Sequence, residues 1–204
     1  MIIPLSQPSL DEKEIASVSK TIASGWITQG PKVEEFEEKF SDYTGSKYSA
    51  AVSSCTTGMH LSLLALGVQP GDFVITVSHS YIATANAIRH AFGEPLFVDV
   101  NKDNYNMDYE SLKYFIEHKC ISRNGNLYYK EYKKLIKQSP TLKYLNNLNG
   151  KIKAIIVPHQ IGIPADVYKI KKLIKNYNIS IIEDAACAIG SKYNFSNKLF
   201  NIGK

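Results

Sequence analysis

Short apolar runs alternate with helix-patterned segments along most of this chain, and that alternation narrows the fold more than any other feature. From Tyr48, "YSAAVS" reads as a strand, "TTGMHLSLLALG" as a helix, "DFVITV" as a strand, "IATANAIRHAFG" as a helix, "PLFVDV" as a strand and "DYESLKYFIEHK" as a helix. "KAIIVP" and "ISIIED" continue the series, separated by the helical "ADVYKIKKLIKNYN". Runs that are apolar throughout need cover on both faces, so the expected class is α/β, a mainly parallel sheet with helices on both sides.

Before Tyr48 the pattern differs. "SLDEKEIASVSKTIAS" carries acids in its first turn and apolar residues at helical spacing through Ile15, Val18 and Ile22, with Ser9 as the expected N-cap and Gly25 as the stop. A second amphipathic helix is expected from Pro31, with Val33, Phe36 and Phe40 on one side. Residues 1–47 are read as an N-terminal helical arm and residues 48–204 as the sheet-bearing domain. Residues 120–150 break the alternation and are read as an insertion, a lysine- and tyrosine-rich helix between polar turns with a solvated charged face.

Composition narrows the function classes. A chain of 204 residues that is 44% hydrophobic can bury an ordinary core. The net charge of +5 comes from scattered lysines, with Arg89 and Arg123 the sole arginines, so no nucleic-acid stripe is expected. Cysteines 55, 120 and 187 are too far apart for a zinc knuckle and odd in number, which points to a reducing cytoplasm and no metal site. No basic start precedes a long apolar run and no stretch reaches bilayer length, so no membrane partner is expected.

Three places carry the candidate chemistry. "SSCTTGMH" sets small hydroxyl residues at a strand-to-helix turn, where hydroxyls and helix N–H groups can hold an anion, or where Ser54 or Cys55 simply caps the helix. No Walker or dinucleotide fingerprint accompanies it. "SHSYIATAN" puts Tyr81 beside small residues, able to cover a planar ring or to pack half-buried, while His60 and His79 are read as structural. In "IIEDAACAIG" a strand through Ile182 delivers Glu183 and Asp184 to the carboxyl edge of the sheet. A buried carboxylate there needs a partner, either neighbouring backbone or a protonated ring nitrogen such as a pyridinium. Phosphate cradle, ring cover and pyridinium partner are together what pyridoxal 5'-phosphate requires.

Five stretches, "SGWITQGPKVEEFEEKF", "VSSCTTGMHLSLLALGVQPGDFVIT", "SYIATANAIRH", "PLFVDVNKDNYNMD" and "IIEDAACAIGSKY", resemble the DegT/DnrJ/EryC1/StrS sugar aminotransferases. The resemblance covers nearly the whole chain outside 120–150. It implies the large domain of the pyridoxal-phosphate-dependent transferase fold type I, like that of aspartate aminotransferase. By it Thr56 and the backbone of Thr57 hold the cofactor phosphate, Tyr81 stacks on the ring, Asp184 meets its nitrogen, and Cys187 stands near the phenolic oxygen where many members carry Gln or His. Cys55 replaces the Gly of the usual Ser-Gly-Thr turn, Ile161 stands where an aromatic is common, and His159 is read as structural.

The implied reaction moves an amino group from an amino acid, usually glutamate, to a keto sugar carried on a nucleotide diphosphate. A homodimer is implied, with "GWITQGP" near the substrate site and the dimer contact. The family's Schiff-base lysine lies in a Ser-Phe-His-x-x-Lys type stretch that does not occur here, and Lys198 and Lys204 are poor substitutes. The chain is therefore read as a fragment without the C-terminal small domain, inactive alone. Two rivals stand beside this reading. One is a non-catalytic binding or assembly module with a cofactor-like pocket, and the other is an α/β enzyme using Cys187 with His159.

Overall fold

The computed structural model describes residues 4, 7–139, 142–145, 148, 150–195 and 198–203, and the side chains of Ile136, Phe195 and Lys198 lie outside that description. The chain divides into two units, Met1–Ala51 and Val52–Lys204.

In the first unit, helix α1 (Glu12–Ala23) starts from Asp11 rather than from the expected Ser9. The Asp11 carboxylate accepts the Lys13 N–H at 2.7 Å, and Glu14 reaches back to the Asp11 N–H at 2.7 Å. Two orphan donors are satisfied reciprocally by this capping box, which a lone Ser9 two residues earlier cannot match. Helix α2 (Pro31–Thr44) opens on a proline that has no N–H to lose and closes on Gly45, whose φ of 76° favours glycine. The strand expected at "YSAAVS" is absent. The Ala51 N–H donates to the Glu37 carboxylate of α2 at 2.7 Å, so a side chain takes a donor that a sheet ladder would need.

The second unit is built on a sheet. Strands β1 (Phe73–Val77), β2 (Glu94–Val98), β5 (Lys151–Pro158) and β6 (Ser180–Asp184) are parallel, in the spatial order β2-β1-β5-β6. Ile75 lies opposite Leu96 on one side and Ile155 on the other, and Ile156 lies opposite Ile182. Helices α3 (Cys55–Ala65) and α4 (Ile82–His90) cover one face, packing Met59, Leu63, Ala87 and Ile88 on Val74, Ala154 and Ile156. Helices α5 (Tyr109–Tyr114) and α7 (Val167–Ile174) cover the other, bringing Leu112, Ile170 and Ile174 to Ile75, Ile155 and Val157. Successive strand residues face opposite ways, so one buried strand feeds both cores. Each fully buried aliphatic side chain contributes about 1.5–3 kcal/mol. The α/β class with helices on both faces holds.

The expectation for residues 120–150 needs correction. Strands β3 (Cys120–Arg123) and β4 (Asn126–Tyr129) form an antiparallel hairpin that extends the sheet, with Leu127 opposite Ile152 and Tyr128 opposite Lys151 on β5. Only α6 (Tyr132–Gln138) is the expected lysine-rich helix. The hairpin turns on Asn124 and Gly125, with φ of 50° and 74°, the left-handed pair that matches strand twist in a two-residue turn. The Asn178 N–H donates to the Gly125 carbonyl at 2.6 Å and ties the tip to the segment entering β6. Residues 140, 141, 146, 147 and 149 lie outside the described residues. A second hairpin, β7 (Lys192–Phe195) with β8 (Lys198–Asn201), follows β6. Among the described residues no helix is long and apolar enough to cross a membrane.

Candidate cofactor site

Strand β6 ends on Asp184, which is 8% exposed, and three segments meet at its carboxylate. The Thr84 hydroxyl, from the first turn of α4, donates to Oδ2 at 2.9 Å. The thiol of Cys55, first residue of α3, lies 3.5 Å from Oδ1, and the Ala186 N–H donates to the same oxygen at 3.3 Å. Both helices therefore begin beside the carboxylate, where their positive ends favour negative charge. All three donors are neutral, and among the described residues no lysine or arginine forms an ion pair with Asp184. Neutral donors offset part of the cost of burying a carboxylate, and a cationic N–H offsets more.

The hydroxyl turn precedes α3. Ser54 is its N-cap, with Oγ accepting the Thr57 N–H at 3.2 Å, so the capping role falls on Ser54 and not on Cys55. The Thr57 hydroxyl stands 3.0 Å from both the Ser53 and the Ser54 hydroxyls. Cys55 and Thr56 occupy the first helical positions, whose N–H groups have no partner within the helix. Cap and anion cradle are thus compatible uses of one turn.

Tyr81 is the residue before α4 and is 82% exposed, so the half-buried packing weighed for it does not occur. Its carbonyl accepts the Thr84 N–H at 3.0 Å, which places it one turn ahead of the hydroxyl on Asp184. Cys187 is exposed on the turn that follows β6. Cys55 is exposed as a residue, but its thiol turns in towards Asp184 and is pushed up to about 11, by burial of that end first, then by the Asp184 charge and hydrogen bond and by Cys187. At neutral pH it is a hydrogen-bond donor rather than a nucleophile.

His159 is fully occupied, which removes the basis for a Cys187–His159 pair. Its Nδ1 accepts the Ala165 N–H at 2.9 Å and its Nε2 lies 3.1 Å from Glu183 Oε2. Burial opposes ionisation of Glu183, but the hydrogen bonds from His159 and from the Gly203 N–H outweigh it and hold that carboxyl below its ordinary range. His79 stacks on Tyr105 at 5.1 Å and His60 meets His90 edge-on at 5.8 Å. Lys204 and the side chain of Lys198 lie outside the described residues.

Sequence reasoning did not single out Thr84 or the His159–Glu183 pair. A hydroxyl on the first turn of a small-residue helix, three positions after a strand-end tyrosine, was the available signal for the former.

A sequence model of the DegT/DnrJ/EryC1/StrS aminotransferase family matches residues 8–198. The UDP-4-amino-4-deoxy-L-arabinose–oxoglutarate aminotransferase of Shewanella sediminis is 36% identical over 191 residues, 94% of this chain and 41% of that protein. Among solved structures, a Streptococcus pneumoniae protein described as a sugar aminotransferase by assignment, in its PLP form, is similar with a TM-score of 0.72 at 29% identity, over 94% of this chain and 44% of that one. A GDP-4-keto-6-deoxymannose-3-dehydratase with a trapped PLP-glutamate geminal diamine gives 0.70 at 25% identity, over 96% of this chain and 43% of that one. The chain spans less than half the length of each of these relatives. Fold type I, read from the sequence, is the fold of these neighbours. This chain belongs to the DegT/DnrJ/EryC1/StrS aminotransferase family, whose cofactor is pyridoxal phosphate.

Proposed function

We propose that this chain is the cofactor-holding part of an enzyme that moves an amino group from an amino acid, glutamate in the first instance, to a nucleotide-linked keto-deoxysugar. The observation that supports this most is the convergence of α3, α4 and β6 on Asp184. In pyridoxal phosphate a single ring carbon separates the ring nitrogen from the carbon that bears the phosphate arm, so their protein partners must be close neighbours. Cys55 makes them so, since its thiol touches Asp184 while Thr56 and Thr57 follow it in the hydroxyl turn. The residues present fit the group.

Thr56 would bind the phosphate with the α3 N-terminus behind it, and the Thr57 N–H, which the Ser54 hydroxyl holds in this structure, would join it only by leaving that cap. Tyr81 covers one face of the ring and keeps water from it. Asp184 holds a proton at the ring nitrogen, because a cationic N–H is the strongest partner available to a buried carboxylate. Cys187, on the turn after β6, would by the family resemblance meet the phenolic oxygen, where a thiol would offer a weaker hydrogen bond than a Gln or His. When bound, the cofactor supplies an electron-withdrawing ring that lowers the barrier to breaking a bond at the donor carbon. Sugar substrates of the UDP- and GDP-linked kind are named for two relatives above, which supports the acceptor class.

The 204-residue chain alone is inferred to bind the cofactor without turnover, since its sequence holds no Ser-Phe-His-x-x-Lys type stretch. The assembly is inferred to be a homodimer in amino-sugar biosynthesis in the cytoplasm. Titration with pyridoxamine 5'-phosphate, followed by ligand fluorescence, tests the site. Asp184→Asn is expected to weaken binding by at least about tenfold, as loss of a charge-assisted bond does. Equal affinity for both proteins counts against the reading.

A further inference from the structure

We propose that His159 is a positioning residue for Asp184, its imidazole locked between Ala165 and Glu183 and its main chain bonded to the Asp184 carbonyl, so that it fixes the strand end from which the carboxylate reaches a protonated ring nitrogen. The inference rests on the reading of Asp184 given above. The His159 side chain is wholly inaccessible to solvent. Because Nδ1 accepts the Ala165 N–H, the single proton of the neutral ring must sit on Nε2, where it is donated to Glu183. One tautomer satisfies both partners and the other satisfies neither.

The backbone of β6 is held at the same place. Strand β5 ends on Pro158, opposite Asp184, and proline has no N–H to give. The next donor in the chain closes the ladder, the His159 N–H bonding the Asp184 carbonyl at 3.0 Å. Glu183 and Asp184 are consecutive strand residues and point to opposite faces. A pull on Glu183 from His159 and Gly203 therefore sets the tilt at which Asp184 presents its oxygens to Cys55 and Thr84.

The turn carrying Cys187 is connected to this residue as well. The Gly162 N–H donates to the His159 carbonyl at 3.3 Å, and the Ser191 hydroxyl donates to the Gly162 carbonyl at 2.7 Å. A Cβ on Gly162 would lie 3.0 Å from the Cys187 carbonyl, so the loop after β5 and the turn after β6 are in close contact. His159 is at the root of both.

The test compares pyridoxamine 5'-phosphate with its 1-deaza analogue, which keeps the phosphate and ring shape and lacks the ring nitrogen. The full chain is expected to prefer the natural compound by about tenfold or more. His159→Asn retains an acceptor for the Ala165 N–H and removes the Glu183 contact. Glu183→Leu removes the same contact from the other end, and Glu183→Gln restores an acceptor for Nε2. Far-UV circular dichroism selects the folded proteins, and if His159→Asn is not among them Glu183→Leu decides. Loss of the preference in His159→Asn or Glu183→Leu, with recovery in Glu183→Gln, supports the proposal. Weakening of both ligands by the same factor with the preference intact overturns it and leaves His159 a support of the fold alone. No preference in the unsubstituted chain overturns the Asp184 reading itself, and the proposal with it.

Discussion

Thr84→Val isolates the bond that brings α4 to Asp184. Thr84 is 1% exposed, its hydroxyl donates to Oδ2 at 2.9 Å, and it stands 2.8 Å from the Ser80 hydroxyl. Valine keeps the shape and opens no cavity, so the expected loss is dominated by the hydrogen bond to a charged group, about 1.5–3 kcal/mol, with the Ser80 contact a smaller addition. For a unit of this size that corresponds to a drop of roughly 3–12 °C in melting temperature. Thermal and urea unfolding measure it, and a double-mutant cycle with Asp184→Asn assigns it. The coupling between the two positions is expected to be about 1–2 kcal/mol, because the neutral amide has less to lose than the carboxylate. A loss below about 0.5 kcal/mol, or additive effects in the cycle, refutes the claim that Thr84 supports a charged Asp184.

Alkylation with iodoacetamide at pH 8 is expected to label Cys187 ahead of Cys55, which is also exposed but whose thiol, turned to the Asp184 carboxylate, is pushed up to about 11, and ahead of buried Cys120, pushed up to about 12; mass spectrometry reads the order. Gly125→Ala is expected to cost about 1–2 kcal/mol in urea unfolding, since φ is 74° and the added Cβ would stand 3.1 Å from Asn178 Nδ2. Glu183 has a folded value below its unfolded one, so its contribution is complete above the unfolded value and is lost as pH falls through the folded one. Glu183→Gln is therefore expected to flatten the acid limb of the stability-pH profile, and an unchanged limb would count against the His159–Glu183 pairing.

Much of the sheet was legible because its strands are local objects. Five consecutive buried residues from Phe73 to Val77 announce a strand covered on both faces, and the run ending at Pro158 does the same, whereas the run ending at Asp184 is half-buried until its last residue. Position at the carboxyl edge followed from there, so Asp184 could be placed before any geometry was known. Its partners could not, because Cys55 and Thr84 lie 129 and 100 residues away in sequence. The errors have separate causes. "DEKE" held a capping-box pattern that a single serine cap overshadowed, and "RNGN" held the Asn-Gly hairpin signal beneath a lysine-rich composition. "YSAAVS" has strand propensity, yet propensity yields when a side chain such as Glu37 claims a ladder donor.

Asp184, on the reading proposed above, faces a protonated ring nitrogen. Nitrogen NMR of pyridoxamine 5'-phosphate labelled with 15N in the ring reads that proton directly when the compound is bound to this chain. At a pH where the free ring is neutral, the bound nitrogen is expected at the pyridinium shift, and at the neutral pyridine shift in Asp184→Ala. A neutral shift with the aspartate in place would contradict the account.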